Sequence, residues 1–328
     1  MAVIHYYLNE RGDDIGMKKW ELSIRKNIYQ MAMSNNQQYL YFSRDQLTVY
    51  DLYAHKTIQQ IPQTKYGWFT LSRNGDKICL IQPIADDKTQ VIIYLVTPTL
   101  SEITNIVLDN AFRDCYPEFS EDEQFVVFPT RSKLYMVNVK RGEYKVLLSL
   151  DKSWLYISSV DLNATSIICA VHSSSDCFDG IGIYVFNKCG VQTHYIPFEN
   201  PRKIFHTLFK ARLTKGNRIM LLYKLSHYKT GIQYISDFSI NSLPISFDEQ
   251  VLPLSISQIS FTDSRNHIAF VGSIVDCQKI SKVVCVYRMS DMSLVYKEYF
   301  DPYLWSAQFC KGSDLLLISG EKQHFLQI

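Results

Sequence analysis

The chain has 328 residues, 47% of them hydrophobic and 20% charged, with a formal net charge of +2. This excludes wholesale disorder and low-complexity architectures, and the length is ample for a large core. The longest apolar run, Val91 to Val96, suits a buried strand and falls far short of the roughly 20 residues of a membrane helix. Charge near neutrality gives no argument for nucleic acid or anionic lipid. A soluble, cytoplasmic protein with no nucleic-acid or membrane partner is expected.

At the N-terminus, Met1 to Leu8 is followed at once by Asn9, Glu10, Arg11, Gly12, Asp13 and Asp14, too soon polar for a secretory signal. The eight cysteines are spread thinly, with no C-x-x-C pair for zinc or redox chemistry. Cys79, Cys169 and Cys285 sit inside apolar runs and read as small buried hydrophobes. Reduced thiols in a cytosol account for them.

Further along, one local pattern recurs: an apolar residue, a Ser or similar, turn residues, then an apolar strand. It appears at Met33-Ser34-Asn35-Asn36, Leu71-Ser72-Arg73-Asn74-Gly75, Phe119-Ser120-Glu121-Asp122, Leu213-Thr214-Lys215-Gly216-Asn217, Phe261-Thr262-Asp263-Ser264 and Phe309-Cys310-Lys311-Gly312. A degenerate copy is placed at Val160-Asp161-Leu162-Asn163. The anchors 33, 71, 119, 160, 213, 261 and 309 are 46 residues apart on average, which gives about seven units. Each unit continues into a hairpin of Val-, Ile- and Tyr-rich runs. Examples are Leu47 to Leu52 with Thr57 to Ile61, Leu134 to Val139 with Tyr144 to Leu148, and Val283 to Arg288 with Ser293 to Lys297. Four strands every 40–50 residues is the spacing of a propeller blade.

The units resemble the degenerate repeats of WD-repeat-like and Tol-type β-propellers. Phe119-Ser120-Glu121-Asp122 and Leu71-Ser72-Arg73-Asn74-Gly75 match the apolar-Ser-x-Asp-Gly turn of those repeats, and Val49-Tyr50-Asp51-Leu52 resembles their Trp-Asp strand end with Tyr for Trp. The resemblance implies an all-β, seven-bladed propeller of four-stranded antiparallel blades in one domain over 1–328. Blades are expected near 28–64, 65–110, 111–152, 153–200, 201–253 and 254–301. The seventh is shared between 302–328 and 1–27. The ring closes on Lys19 to Ile24 as fourth strand, with Val3 to Leu8 left over as a fifth strand or hairpin arm, or else by a two-plus-two arrangement.

No catalytic signature is present. There is no G-x-S-x-G elbow. His172-Ser173-Ser174-Ser175-Asp176 brings triad residue types together, but a polar loop explains the run. His172, Asp176, Cys177 and Asp179 match no known metal-ligand spacing, so neither a metal nor a cofactor is expected. Trp68, Tyr116, Gln258 and Ser306, three residues before their anchors, with Glu118 one residue before, suggest a channel that is mostly aromatic and neutral.

Aromatic residues recur just before the inner strands: Tyr66 and Trp68, Tyr116, Trp154 and Tyr156, Tyr303 and Trp305. They suit either partner recognition or packing between blades. The segment Asn200 to Asn217 is the most basic in the chain. Arg202, Lys203 and Lys210 within it are candidate contacts, and an inner strand is preferred there over a helix. Insertions at Ile84 to Gln90, Ser173 to Gly180, Ser226 to Gly231 and Val275 to Ser281 fall between second and third strands, on one face of the ring. The reading is an interaction platform for a protein or peptide, with Trp68, Tyr116, Trp154, Trp305, Arg202, Lys203 and Lys210 as binding candidates. The alternatives are a lactone or ester hydrolase with a channel metal, or a regulatory propeller cut from a larger enzyme.

Overall fold

The Val-, Ile-, Tyr- and Phe-rich runs become antiparallel strands in the computed structural model of the chain. It describes residues 3–8, 14–22, 28, 30–43, 46–62, 64, 67–85, 87–97, 99–109, 116–174, 179–197, 208–214, 218–226, 229–235, 250–252, 254–262, 264–276, 279–300, 304–311, 313–320 and 323–328. Two N-terminal strands, β1 (Val3–Leu8) and β2 (Asp14–Leu22), precede the first full blade. Blade one is β3 (Gln30–Met33), β4 (Tyr39–Ser43), β5 (Gln46–Asp51) and β6 (Lys56–Pro62). Blade two is β7 (Trp68–Leu71), β8 (Lys77–Ala85), β9 (Lys88–Thr97) and β10 (Thr99–Leu108). Blade three is β11 (Glu118–Phe119), β12 (Phe125–Pro129), β13 (Lys133–Asn138) and β14 (Tyr144–Ser149). Blade four is β15 (Leu155–Leu162), β16 (Ser166–Ser173), β17 (Gly182–Asn187) and β18 (Gln192–Pro197). Blade five is β19 (Leu208–Leu213), β20 (Ile219–Ser226), β21 (Lys229–Ile235) and β22 (Gln250–Leu252). Blade six is β23 (Ser255–Phe261), β24 (His267–Asp276), β25 (Lys279–Arg288) and β26 (Leu294–Phe300).

Blade seven closes the ring. It is a five-stranded sheet in the order β1-β2-β29-β28-β27, where β27 is Leu304–Phe309, β28 Leu315–Gly320 and β29 Gln323–Gln327. Trp20 pairs with Phe325, and Val3 to Leu8 forms the fifth, outermost strand. The result is an all-β, seven-bladed β-propeller. Among the described residues there is no helix long and apolar enough to cross a membrane.

The core is divided among the seven blade-to-blade seams. Tyr41 and Val49 of blade one pack on Phe69 and Leu80 of blade two, and Met136 of blade three packs on Ile157 of blade four. Leu317 and Phe325 of blade seven meet Met31 and Phe42 of blade one. Inner and middle strands are therefore buried on both faces, whereas outer strands such as β6 and β14 are largely exposed.

The residue after the anchor, Ser in blades one to three, makes the first turn. Ser34 Oγ donates to Asn36 Oδ1 (2.6 Å) and accepts the Tyr39 amide (2.9 Å). Ser120 Oγ donates to Asp122 Oδ1 (2.7 Å) and accepts the Phe125 amide (3.0 Å). The fourth residue after the anchor is left-handed: Gln37, Gly75, Glu123 and Arg265 have φ between 55° and 74°. Each first strand starts at one end of the ring and meets its turn at the other. Second-to-third-strand hairpins therefore share a face with the strand starts, here called the hairpin face. The first turns lie on the opposite, turn face.

Blade four requires a correction. Leu162 pairs with Ile167 as Phe119 pairs with Val126, and the Asn163 amide closes the turn on Ser166 O as the Ser120 amide does on Phe125 O. The anchor is therefore Leu162, not Val160. A β-bulge four residues before the anchor recurs in blades four to seven, at Ser158, Phe209, Ser257 and Trp305.

Candidate functional site

The inner strands present open backbone edges to one another, and side chains of the preceding blade close them. The residue three before the anchor accepts an amide from the next blade. Gln30 Oε1 takes Phe69 N (2.9 Å), Ser159 Oγ takes Ala211 N (2.9 Å) and Gln258 Oε1 takes Ala307 N (3.2 Å). The residue one before the anchor repeats this, with Asp161 Oδ2 on Leu213 N (2.8 Å) and Ser260 Oγ on Phe309 N (2.9 Å). These positions set the register between blades, and Asp161, Gln258 and Ser260 line the channel cavity.

The channel cavity measures about 160 Å³. It is strongly charged, not mostly aromatic and neutral as the sequence suggests. Asp161 stands one residue before the true blade-four anchor, Leu162, and Arg212, Arg265 and Lys311 add charges at positions other than three before an anchor. Arg265 Nη2 donates to Asp161 Oδ1 (3.0 Å) across blade five. Arg212, itself buried, donates to Val160 O (2.5 Å) and sets a second guanidinium charge near Asp161. Burial alone would raise the Asp161 pKa, yet the two arginines outweigh it and hold the carboxyl below the usual carboxylate range. Lys311 Nζ reaches Glu118 Oε2 (3.3 Å), and Gln258 Nε2 donates to the Tyr116 hydroxyl (3.0 Å).

The sequence-derived candidates scatter. Trp68 and Tyr116 do meet: both are half-buried, with ring centroids 4.6 Å apart at 63°, bridging blades two and three on the hairpin face. Trp154 packs into the seam between blades three and four, with Lys152 Nζ 5.9 Å over its ring, and its buried Nε1 has no hydrogen-bond partner among the described residues. Trp305 is placed only as the bulge residue of β27. Lys210 lies half-buried on β19, three residues before its anchor, so the described part of that basic segment is an inner strand. Arg202 and Lys203 lie outside the described residues.

His172 stacks near Tyr156 (5.5 Å between ring centroids), and its Nδ1 lies 2.7 Å from Ser173 O. Asp176 and Cys177 lie outside the described residues. Among the described residues no group of three His, Cys, Asp or Glu side chains is placed to hold a metal. Cys79, Cys169 and Cys285 are buried, and burial pushes the Cys79 thiol pKa up.

No protein-family model matches the chain, and no curated protein matches it by sequence. Solved structures do match. The β-propeller domain of Myceliophteria thermophila Cps50 (Swd1) superposes with a TM-score of 0.67 at 11% identity, covering 94% of this chain and 99% of that one. A chain of Kuenenia stuttgartiensis hydrazine synthase gives 0.62 at 10% identity, covering 90% and 94%. At such identities the likeness is one of fold.

Proposed function

We propose that this propeller is an interaction platform that binds a protein or peptide through its hairpin face. The observation that carries the reading is the Trp68–Tyr116 pair at the inner end of that face. The long hairpins of blades two and six project from the same face and expose Ile84 (45%) and Ile280 (56%). Aromatic anchors at the centre with apolar contacts toward the rim is a partner-binding arrangement. The channel supports a platform over a channel hydrolase. Glu118 and Asp161 are engaged by Lys311 and Arg265, and the cavity is below the roughly 300 Å³ at which small-molecule sites begin.

The test is affinity capture from cytosol followed by measured affinity for the identified partner. Three proteins are compared: the intact chain, Trp68→Ala, and the pair Ile84→Asp with Ile280→Asp. Loss of the partner from both folded variants supports the hairpin face. Retention by both removes it.

A further inference from the structure

The first turn of blade four is two residues shorter than that of blade three, and the turn face is notched beside it. A groove of about 940 Å³ lies there between the two blades. Ser120, Phe125, Met136 and Lys145 line it, one from beside or within each strand of blade three in turn. The groove therefore crosses the whole blade from channel to rim. Its inner end joins the channel, since Glu121 and Asn163 line both spaces. Three spacings between neighbouring strands make it about 14 Å long, the reach of about four residues of extended chain.

The charges of the groove are sorted by position. Glu121 and Asp122, both exposed, stand at the channel end with one base, Arg73, 3.9 Å from Glu121. Lys145 and Lys188 stand at the rim with one acid, Glu143. Lys145 Nζ donates to Gly190 O (3.1 Å) and so sits between the hairpin tips of blades three and four. Lys188 is exposed and makes no ion pair among the described residues. Arg141 flanks the rim end, 3.8 Å from Glu143 with both side chains largely exposed, a contact worth little in water. Between the two ends the surface is apolar, with half-buried Phe125 over Met136 and Ile167 and exposed Tyr144 beside them. The six charges that line the groove sum to zero. A uniformly charged ligand would gain at one end what it loses at the other, whereas a ligand with its own charges segregated gains at both.

We propose that this groove binds an extended peptide segment of segregated charge. Its basic end lies at Glu121 and Asp122, apolar side chains cover Phe125, and its acidic end lies at Lys145 and Lys188. The groove is on the face opposite Trp68, Ile84 and Ile280, so the proposal goes beyond the platform reading and can fail separately from it.

The experiment is fluorescence anisotropy on the full chain with two labelled, capped hexapeptides of one composition. One is Glu-Glu-Leu-Leu-Lys-Lys and the other Glu-Lys-Leu-Leu-Lys-Glu, whose ends are each neutral. The segregated peptide is expected to bind at least about tenfold tighter, and salt should narrow the difference. Glu121→Lys and Lys188→Glu, made singly at opposite ends, should each lose at least about fivefold in affinity for it. Both sites are exposed, so the melting temperatures should stay near that of the original chain. Should one variant melt lower, the other carries the comparison. Equal binding of the two peptides, binding of neither, or undiminished binding by the folded variants overturns the proposal. Self-association of the chain that both variants abolish, seen by sedimentation, assigns the groove to a second copy and overturns it too.

Discussion

Arg265 and Asp161 tie blade six to blade four across the channel, with Nη2 on Oδ1 at 3.0 Å and Nη1 on Oδ2 at 3.3 Å. The carboxylate also accepts the amides of Leu162 (2.9 Å) and Leu213 (2.8 Å). A single side chain thus holds three consecutive blades. Asp161→Asn keeps the shape and removes the charge, leaving two arginines facing a neutral amide. The expected loss is about 3–5 kcal/mol, read from urea denaturation. A change within about 0.5 kcal/mol, as at an ordinary surface site, would show that the tie is incidental.

The same group sets a pH dependence. The folded pKa of Asp161 lies below its unfolded value, so its stabilisation is fully present above the unfolded pKa of about 4. It is lost as pH falls through the lower folded value. The stability gap between the original chain and Asp161→Asn should therefore be flat from neutral pH to about pH 5 and shrink in stronger acid. A gap that grows in acid would mean the sign is wrong.

Glu123 stands where the repeat has glycine. Its φ is 56°, and its carboxylate accepts the Asn74 amide (2.6 Å) and pairs with Lys77 (2.8 Å) in the neighbouring blade. The clasp holds a backbone conformation that disfavours a side chain. Glu123→Ala loses the clasp and keeps the strain; Glu123→Gly loses the clasp and releases it. Both should be less stable than the original, with the Ala variant lower by about 1 kcal/mol. The reverse order in thermal melts would assign the conformation to the turn alone.

Two glycines separate backbone strain from collision. At Gly272, inside blade six, a Cβ would run into the Ser255 carbonyl oxygen and stand 2.5 Å from Leu254 Cδ1. Gly272→Ala should cost about 1–3 kcal/mol or more, since one obstacle is backbone. At Gly142, φ is 67° and the nearest atom is Thr104 Cγ2 at 3.4 Å, so Gly142→Ala should cost about 1 kcal/mol. Equal melting temperatures for the two variants would contradict the packing of blade six.

Much of this architecture could be read from residue order. Six anchors were placed in register because Ser or Thr, or Cys310 in the last blade, follows an apolar residue seven positions before its strand partner, or six at Leu213. Blade four escaped because its turn is two residues shorter, so Leu162 meets Ile167 and Asn163 replaces Ser. The site was harder to see. Trp68 and Tyr116 could be picked as aromatics before inner strands, but spacing does not reveal that they touch while Trp154 sinks into a seam. The channel charges depend on contacts such as Lys311 with Glu118, residues far apart in the chain, which no local pattern encodes.

The shared seventh blade also orders events during synthesis. β2 leaves the ribosome before the six complete blades, yet its partner β29 follows them all, and Leu22 waits for Gln323. Bringing together the ends of a flexible chain that long costs about 5 kcal/mol of entropy, and each blade that folds in between lowers that cost. Until then six blades stand as an open arc, with the seams on either side of blade seven unfilled. Completion is therefore late and abrupt, a topology of long sequence separations that folds slowly. Until β29 is made, the free edge of β2 must stay out of reach of the wrong strand.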